Sequence, residues 1–284
     1  MQVAYFHAIG GASGDMMLSS LLDVGLSLED LKSELAKLPL SGYALEVKNE
    51  QRAGLHGTYL EVKLDNPKPG SLPASEQLLN LERSSLEPIV KERAISVIKR
   101  LITAEKRAHA GDTTWHELGT PDTLIDVVGV IAGLNLMGIE KVYASPIPTG
   151  SGTVKSAHGL LPVPTPATLE LLAMSNAPTL PPPTEPTGEL TTPTGAALLT
   201  TLASFDVPNL QIQRVGYGLG RRDIPKIPNA LGIWVAKTTE ENQDLVILET
   251  NIDDMNPEVL AYAQEQLFSL GAYDVWITQI GMKK

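Results

Sequence analysis

The chain has 284 residues, a formal net charge of −11 and no cysteine. With 43% hydrophobic and 19% charged residues it has the composition of a globular protein, not of a disordered or fibrous one. The acidic balance excludes the basic footprint that nucleic acid or an anionic membrane requires, and the absence of cysteine excludes disulfides and thiolate metal sites. No apolar run reaches the roughly eighteen residues of a spanning helix. The start Met1-Gln2-Val3-Ala4-Tyr5-Phe6 also lacks a basic signal-peptide region. A cytoplasmic chain of about two domains is therefore expected, with neither nucleic acid nor membrane as a partner.

In chain order, Val3 to Ala8 is apolar and β-prone and runs into Gly10-Gly11-Ala12-Ser13-Gly14-Asp15. A helical repeat from Met16 to Leu22 follows, so the start reads as strand, glycine turn and helix, with Gly25 as the stop. Ser27 caps a second helix through about Leu38, and Tyr43–Val47 and Thr58–Leu64 read as strands joined around Gly54 and Gly57. Residues 66–75 are rich in Pro, Gly and Ser and mark a linker or loop, a possible sub-boundary. The i, i+3/i+4 spacing of Ile89, Val90, Ala94, Val97, Ile98 and Leu101 predicts one helix from about Glu87 to His109. Thr120 as N-cap and Pro121 at the first helical position start another, nearly all apolar, that reaches Met137 and stops at Gly138.

Residues 141–194 carry eleven prolines among many Thr and Gly. Proline removes a ladder donor, so extended loops are expected here, with short helices near Pro166–Ala173 and Pro193–Leu202. Strands are predicted at Ile212–Tyr217, Leu231–Ala236 and Leu245–Thr250, a helix at Pro257–Leu270 and a last strand at Asp274–Ile280. The expected class is α+β: small mixed sheets with packed helices, a Pro/Thr/Gly-rich middle and an incomplete C-terminal βαβ unit. Residues 1–240 would form the main region, and 241–284 the start of a truncated C-terminal α+β domain.

Several segments could carry chemistry. His116, Glu117, Asp122 and Asp126 put an imidazole and three carboxylates within eleven residues, with Asp122 and Asp126 four apart and so on one helix face. Without thiolates, a transition metal needs such imidazole and oxygen ligands. The bland reading leaves Asp122 to complement a helix dipole, Asp126 to solvate the surface and His116 to pack in a loop. The glycine turn, with Gly11, Ser13 and Gly14, could present amides to an anion at a helix start, with Asp15 as an ordinary cap in the alternative. Thr192 and Thr194 crowd a second helix start in the same way. Arg221 and Arg222, after Gly216-Tyr217-Gly218-Leu219-Gly220, could hold a phosphate or carboxylate bidentately or simply be solvated. His158 sits in a Gly/Pro loop and His109 at a helix end. Asp253, Asp254 and Glu258 crowd a helix start in a manner suited to Mg²⁺ or Mn²⁺, which on its own would point to a metal-dependent phosphohydrolase.

Taken together, Gly-Gly-Ala-Ser-Gly-Asp-Met (10–16), His-Glu-Leu-Gly (116–119), Gly-Ser-Gly-Thr-Val-Lys-Ser-Ala-His-Gly-Leu-Leu-Pro-Val-Pro (150–164), Gly-Glu-Leu-Thr-Thr-Pro-Thr-Gly-Ala-Ala (188–197), Gly-Tyr-Gly-Leu-Gly-Arg-Arg-Asp (216–223) and Glu-Thr-Asn-Ile-Asp-Asp-Met (249–255) resemble the LarC family. These are the nickel-insertion proteins of nickel-pincer nucleotide cofactor biosynthesis. The resemblance implies a chelatase-type lyase that inserts Ni²⁺ into pyridinium-3,5-bisthiocarboxylic acid mononucleotide. It also implies CTP hydrolysis with Mn²⁺ or Mg²⁺ at a site in a further C-terminal domain. Metal candidates are then His116, Glu117, Asp122, Asp126, His158, Asp15, Asp253 and Asp254; substrate or anion candidates are Gly11, Ser13, Gly14, Thr192, Thr194, Arg221 and Arg222. His7 stands where the family usually has Asp, and Thr114 where many members have a second His. A non-catalytic nickel-binding scaffold that works with a separate C-terminal chain is the alternative, and a homo-oligomer is a further possible partner state.

Overall fold

A computed structural model describes residues 1–65, 73–108, 119–156, 159–224, 226–238 and 247–281. The chain divides into two compact units, Met1–Glu241 and Asn242–Lys284.

The first unit is built on a seven-stranded mixed sheet. Its strands are β1 (Gln2–His7), β2 (Tyr43–Arg52), β3 (Leu55–Leu64), β4 (Lys141–Ala144), β9 (Ala203–Ser204), β10 (Gln211–Leu219) and β11 (Ala230–Lys237), in the order β2-β3-β10-β11-β1-β4-β9. Strand β1 is parallel to β4 and antiparallel to β11, so the first strand of the chain lies deep inside the sheet. Two ribbons stand apart: β5 (Gly150–Ser151) with β8 (Gly188–Glu189), and β6 (Thr153–Ser156) with β7 (Gly159–Pro162). The class is α+β as expected, and beside the small two-stranded sheets stands one large mixed sheet that local patterning did not suggest. Register across distant strands is a tertiary property that no short window carries.

Side-chain alternation decides where the core lies. Ala4, Phe6 and Ala8 from the β1 region, Val142 and Ala144 from β4, and Leu231, Ile233 and Val235 from β11 belong to one large apolar cluster shared with the helices. Val3, Tyr143 and Ala236 point to the other face and form a small cluster with Tyr5, Met1 and Leu210. The helices over the first face are α1 (Gly14–Asp23), α2 (Leu28–Leu35), α3 (Ala74–Arg83), α4 (Pro88–Ala108), α5 (Pro121–Leu136), α6 (Pro166–Ala173) and α7 (Pro193–Leu202). Helix α5 is buried from Thr123 to Leu134 and is packed by α1, α2, α4 and α7. Gly129 and Gly133, four apart, make the groove on α5 that admits Leu18 and Leu21 of α1; a methyl group on Gly133 would stand 2.8 Å from Leu26 Cδ2.

The sheet meets α1 by an unusually direct contact. Gly216 and Gly218 alternate on the face of β10 toward α1, and the helix backbone fills the space that side chains would take. A methyl group on Gly216 would lie 2.6 Å from the Val24 amide nitrogen, and one on Gly218 would overlap the Met16 carbonyl. The glycine repeat after Ile212 is thus a packing surface and not only a flexible strand exit.

Several expectations need correction. Strands β2 and β3 are longer than predicted and join through Ala53 and Gly54, both at positive φ, as a right-twisted two-residue hairpin requires. Gly57 is therefore inside β3, not in the turn. Helix α3 begins at Ala74, inside the Pro, Gly and Ser-rich segment 66–75; residues 66–72 are outside the described residues. Strand β4 lies in the Pro-rich stretch where loops and short helices were expected; it is short and ends before Pro146, so it yields to β1 as partner without a lost donor.

In the second unit, α8 (Pro257–Ser269) forms as predicted, with the Asn256 side chain accepting from the Glu258 amide at 3.0 Å. Residues 247–250 and 274–280 are not strands, so no βαβ unit exists among the described residues. A strand needs a paired neighbour, and 43 residues bury too little surface to supply one. Helix α8 has no buried residue, and Leu248 and Leu270 are 91% and 83% exposed.

The glycine packing gives a direct comparison on one sheet. Gly218→Ala should destabilise the protein by about 3 kcal/mol or more. Gly232→Ala on the neighbouring strand should be nearly neutral, because its nearest neighbour would be in ordinary contact at 3.5 Å. Thermal unfolding of both variants checks this; equal losses would refute the packing account.

Candidate functional site

Strand β1 delivers the chain to one edge of the sheet, where the turn Gly10–Gly14 is clamped from three sides. The Gly10 amide donates to the Ala230 carbonyl at 2.9 Å. The Ala12 amide donates to the Leu190 carbonyl and to Thr191 Oγ1, both at 3.2 Å, and the Ala12 carbonyl accepts from the Thr192 amide at 2.9 Å. Thr191 Oγ1 in turn donates to the Pro148 carbonyl at 2.7 Å. Gly11, at φ +114°, lies so close to Leu190 that any side chain would collide with its carbonyl. Gly195 presses equally closely on Ala12, and Gly14 on the Asp126 carboxylate. The N-terminal ends of α1, α5 and α7 therefore meet around this turn.

Three carboxylates are gathered there. Asp126 is buried on α5 and accepts from the Asp15 amide, while its Oδ1 has no hydrogen-bond partner among the described residues. Asp15 accepts from the Ser13 hydroxyl and from the Met16 amide. Asp122 stands one helical turn before Asp126, as the spacing predicted.

Burial pushes the Asp15 carboxyl upward. Burial, followed by the charge of Asp15, raises Asp122 to about 6. Burial, then the charges of Asp122 and Asp15, raise Asp126 well above the usual carboxylate range. Three helix starts favour negative charge here, yet like charges in a dry site cannot all ionise together. Among the described residues, no three His, Asp or Glu side chains already form a metal cage; the aspartates are coupled through their charges without converging on one point.

The anion-binding candidates are placed differently from one another. Ser13 spends its hydroxyl on Asp15, and Gly14 faces Asp126, so a phosphate at the start of α1 would meet negative charge unless a cation stood between. Thr192 caps α7, accepting from the Gly195 amide at 3.3 Å, and Thr194 is buried. Arg222 is tied down: its guanidinium donates to the carbonyls of Thr187 and Glu189, and its own carbonyl accepts from Asn229 at 2.8 Å. It holds the loop before α7 against the strand exit. Arg221 is exposed. Asp253, Asp254 and Glu258 lie exposed in the second unit. His109, Thr114, His116, Glu117 and His158 lie outside the described residues.

What spacing along the chain could not reveal is that Asp15 joins Asp122 and Asp126, or that Thr191 braces the turn beside them. The only local signal was the density of glycine at Gly10, Gly11, Gly14 and Gly195, each of which marks a place where another chain segment comes within contact.

A family model described as "Nickel insertion protein" matches residues 4–284. Relatives whose descriptions name nickel insertion include one from Thermomicrobium roseum and one from Roseiflexus castenholzii, each 44% identical over 292 residues. Another, from Dictyoglomus thermophilum, is 39% identical over 292 residues. Each alignment takes in 100% of this chain and 71%, 73% and 74% of the respective relative. No solved structure matches. With the family model spanning nearly every residue and relatives of this similarity covering the whole chain, the chain belongs to the nickel insertion protein family.

Proposed function

We propose that the protein takes up Ni²⁺ beside the turn Gly10–Gly14, where Asp15, Asp122 and Asp126 are neighbours, and passes it into pyridinium-3,5-bisthiocarboxylic acid mononucleotide, forming the nickel-pincer nucleotide. The observation that carries this reading is the buried, unpartnered Oδ1 of Asp126 beside two further carboxylates at converging helix starts. A buried carboxylate oxygen without a donor is costly, and a divalent cation supplies what it lacks. Nickel here is cargo. Oxygen ligands, completed in this reading by His116 and Glu117 just ahead of α5, hold it less firmly than thiolates and so release it to the sulfur and carbon donors of the substrate.

Forming the nickel–carbon bond breaks a ring C–H bond and releases a proton. A carboxylate raised to about 6, as Asp122 is, is a base of suitable strength near neutral pH. Cation and proton also compete for the same oxygens: ionising Asp122 in the folded chain costs roughly 3 kcal/mol more than in water, and a bound cation removes that cost. The substrate phosphate would be drawn to the positive ends of the α1 and α7 dipoles once the cation neutralises Asp15 and Asp126. In this reading CTP hydrolysis, with Mn²⁺ or Mg²⁺, belongs to polypeptide outside Met1–Glu241, supplied by a C-terminal partner region.

Calorimetric titration of Ni²⁺ should show binding that strengthens from pH 5.5 to 7.5 and releases protons. Affinity should fall about tenfold or more in Asp126→Asn and in His116→Ala. Undiminished affinity in Asp126→Asn, or binding indifferent to pH, would sink the assignment of the metal to this edge.

The same carboxylates limit stability. Because their folded pKa values are raised, the folded chain holds protons more tightly than the unfolded one. Their contribution to stability is then greatest below about pH 4 and is lost as pH rises through about 6. Asp126→Asn, which removes one like charge, should raise the melting temperature at pH 7.5 by several degrees, with the gain shrinking toward pH 4. Metal-free thermal scans of both proteins across this range check the trend; a melting temperature of Asp126→Asn below that of the wild-type chain at pH 7.5 would contradict it.

A further inference from the structure

The face of the sheet turned away from the helices has an unusual composition. Val215, Trp234, Tyr5 and Tyr143 stand directly opposite one another across β10, β11, β1 and β4. Two residues further along, Tyr217, Gly232 and His7 form a second row on the same face. Tyr5 and Trp234 lie with ring centroids 4.5 Å apart, and His7 is 5.7 Å from Trp234, edge-on. Gly232 keeps the middle of the second row low: a methyl group there would touch Tyr217 Cε1 at 3.5 Å and His7 Cβ at 3.6 Å and nothing closer. Tyr5, His7, Tyr217 and Trp234 are all half-buried, and Val215 is 44% exposed.

A sheet face that no helix covers ordinarily alternates to polar side chains. Here four of the chain's few aromatic residues, at 5% of its composition, share a face that no helix among the described residues covers. Aromatic floors of this kind stack flat rings regardless of hydrogen-bond pattern, and their electron-rich faces favour a cationic or electron-poor partner. The face already shows that preference, since Lys141 Nζ sits 5.3 Å over the Tyr143 ring. Burial also holds His7 below its usual pKa, so its imidazole is neutral at neutral pH and adds no charge to repel such a partner.

Position links this floor to the metal edge. His7 ends β1, and the chain passes directly from it into the turn Gly10–Gly14; Gly232 lies two residues beyond Ala230, which accepts from the Gly10 amide. We infer that Trp234, Tyr5, His7 and Tyr217 form the stacking floor for the planar, electron-poor nitrogen heterocycle of a mononucleotide, with the phosphate end reaching toward the amide-rich turn. This rests on the reading of the carboxylate edge as the place where nickel meets its substrate, and it assigns to β1, β10 and β11 the ring of that substrate.

The test uses the full chain with Trp115→Phe and Trp276→Phe, which leaves Trp234 as the sole tryptophan. Nicotinic acid mononucleotide, a pyridinium mononucleotide, serves as probe, and uridine monophosphate as a comparator with a neutral ring. Saturable quenching of Trp234 emission by the pyridinium is expected, with weaker or no quenching by the comparator. His7→Ala and Tyr217→Ala should each weaken the pyridinium by about tenfold; circular dichroism confirms that both remain folded, and His7→Ala, at the strand end, is the milder of the two. Linear quenching with the slope of free N-acetyltryptophanamide overturns the inference. So does sedimentation showing a dimer that the same substitutions dissociate, for the face would then seat a second copy of the chain. Failure of the floor leaves Ni²⁺ titration intact and abolishes only saturable quenching; failure of the nickel reading does the reverse.

Discussion

The structure depends on backbone lying against backbone at the turn Gly10–Gly14. Side chains are absent where Gly11 meets Leu190, where Gly195 meets Ala12 and where Gly14 meets Asp126, so three segments distant in sequence reach one edge of the sheet at a separation that only glycine permits. The same device continues beneath α1, where Gly216 and Gly218 let the helix rest on β10. Fixing α1 in this way fixes Asp15; the glycine groove on α5 that receives Leu18 and Leu21 then fixes Asp122 and Asp126 against it. The geometry of the charged edge is thus a consequence of where side chains are missing.

That edge is held in tension by its own electrostatics. Helix starts and the Ser13 and Met16 donors favour ionised carboxylates, whereas burial and mutual repulsion favour protonated ones. Burial and repulsion outweigh the donors, since all three carboxyls are pushed upward, so an arriving cation would oppose a proton already favoured there. A purely structural cap would need one carboxylate per helix start, exposed to water. Asp126 is instead buried with one oxygen unpartnered, an arrangement that stability alone does not select.

Elements with strong local signals could be read from the sequence. Thr120-Pro121, Ser27 and Asn256-Pro257 begin helices where capping chemistry placed them, and the shared face of Asp122 and Asp126 followed from their spacing. Strand β4 could not be read, because four residues before a Pro-rich stretch carry no period; it exists because β1 offers a parallel partner. The converse error occurred at residues 247–250 and 274–280, whose strand-like composition finds no paired neighbour among the described residues. Arg222 shows the limit for function: its residue type suited an anion, but the nearby carbonyls of Thr187 and Glu189 take its donors. Side-chain chemistry could be listed from the sequence; which partners compete for it depended on the fold.

The flanks of the sheet carry one more consequence. On one side β9 is only two residues long, and on the other β2 sets Glu46, Lys48, Glu50 and Arg52 along one face, engaged in ion pairs with each other and with Lys63. A strand from another molecule would find too little backbone on the first side and dense alternating charge on the second. Both flanks of the sheet thus disfavour lateral growth, the route by which exposed β-structure ordinarily polymerises.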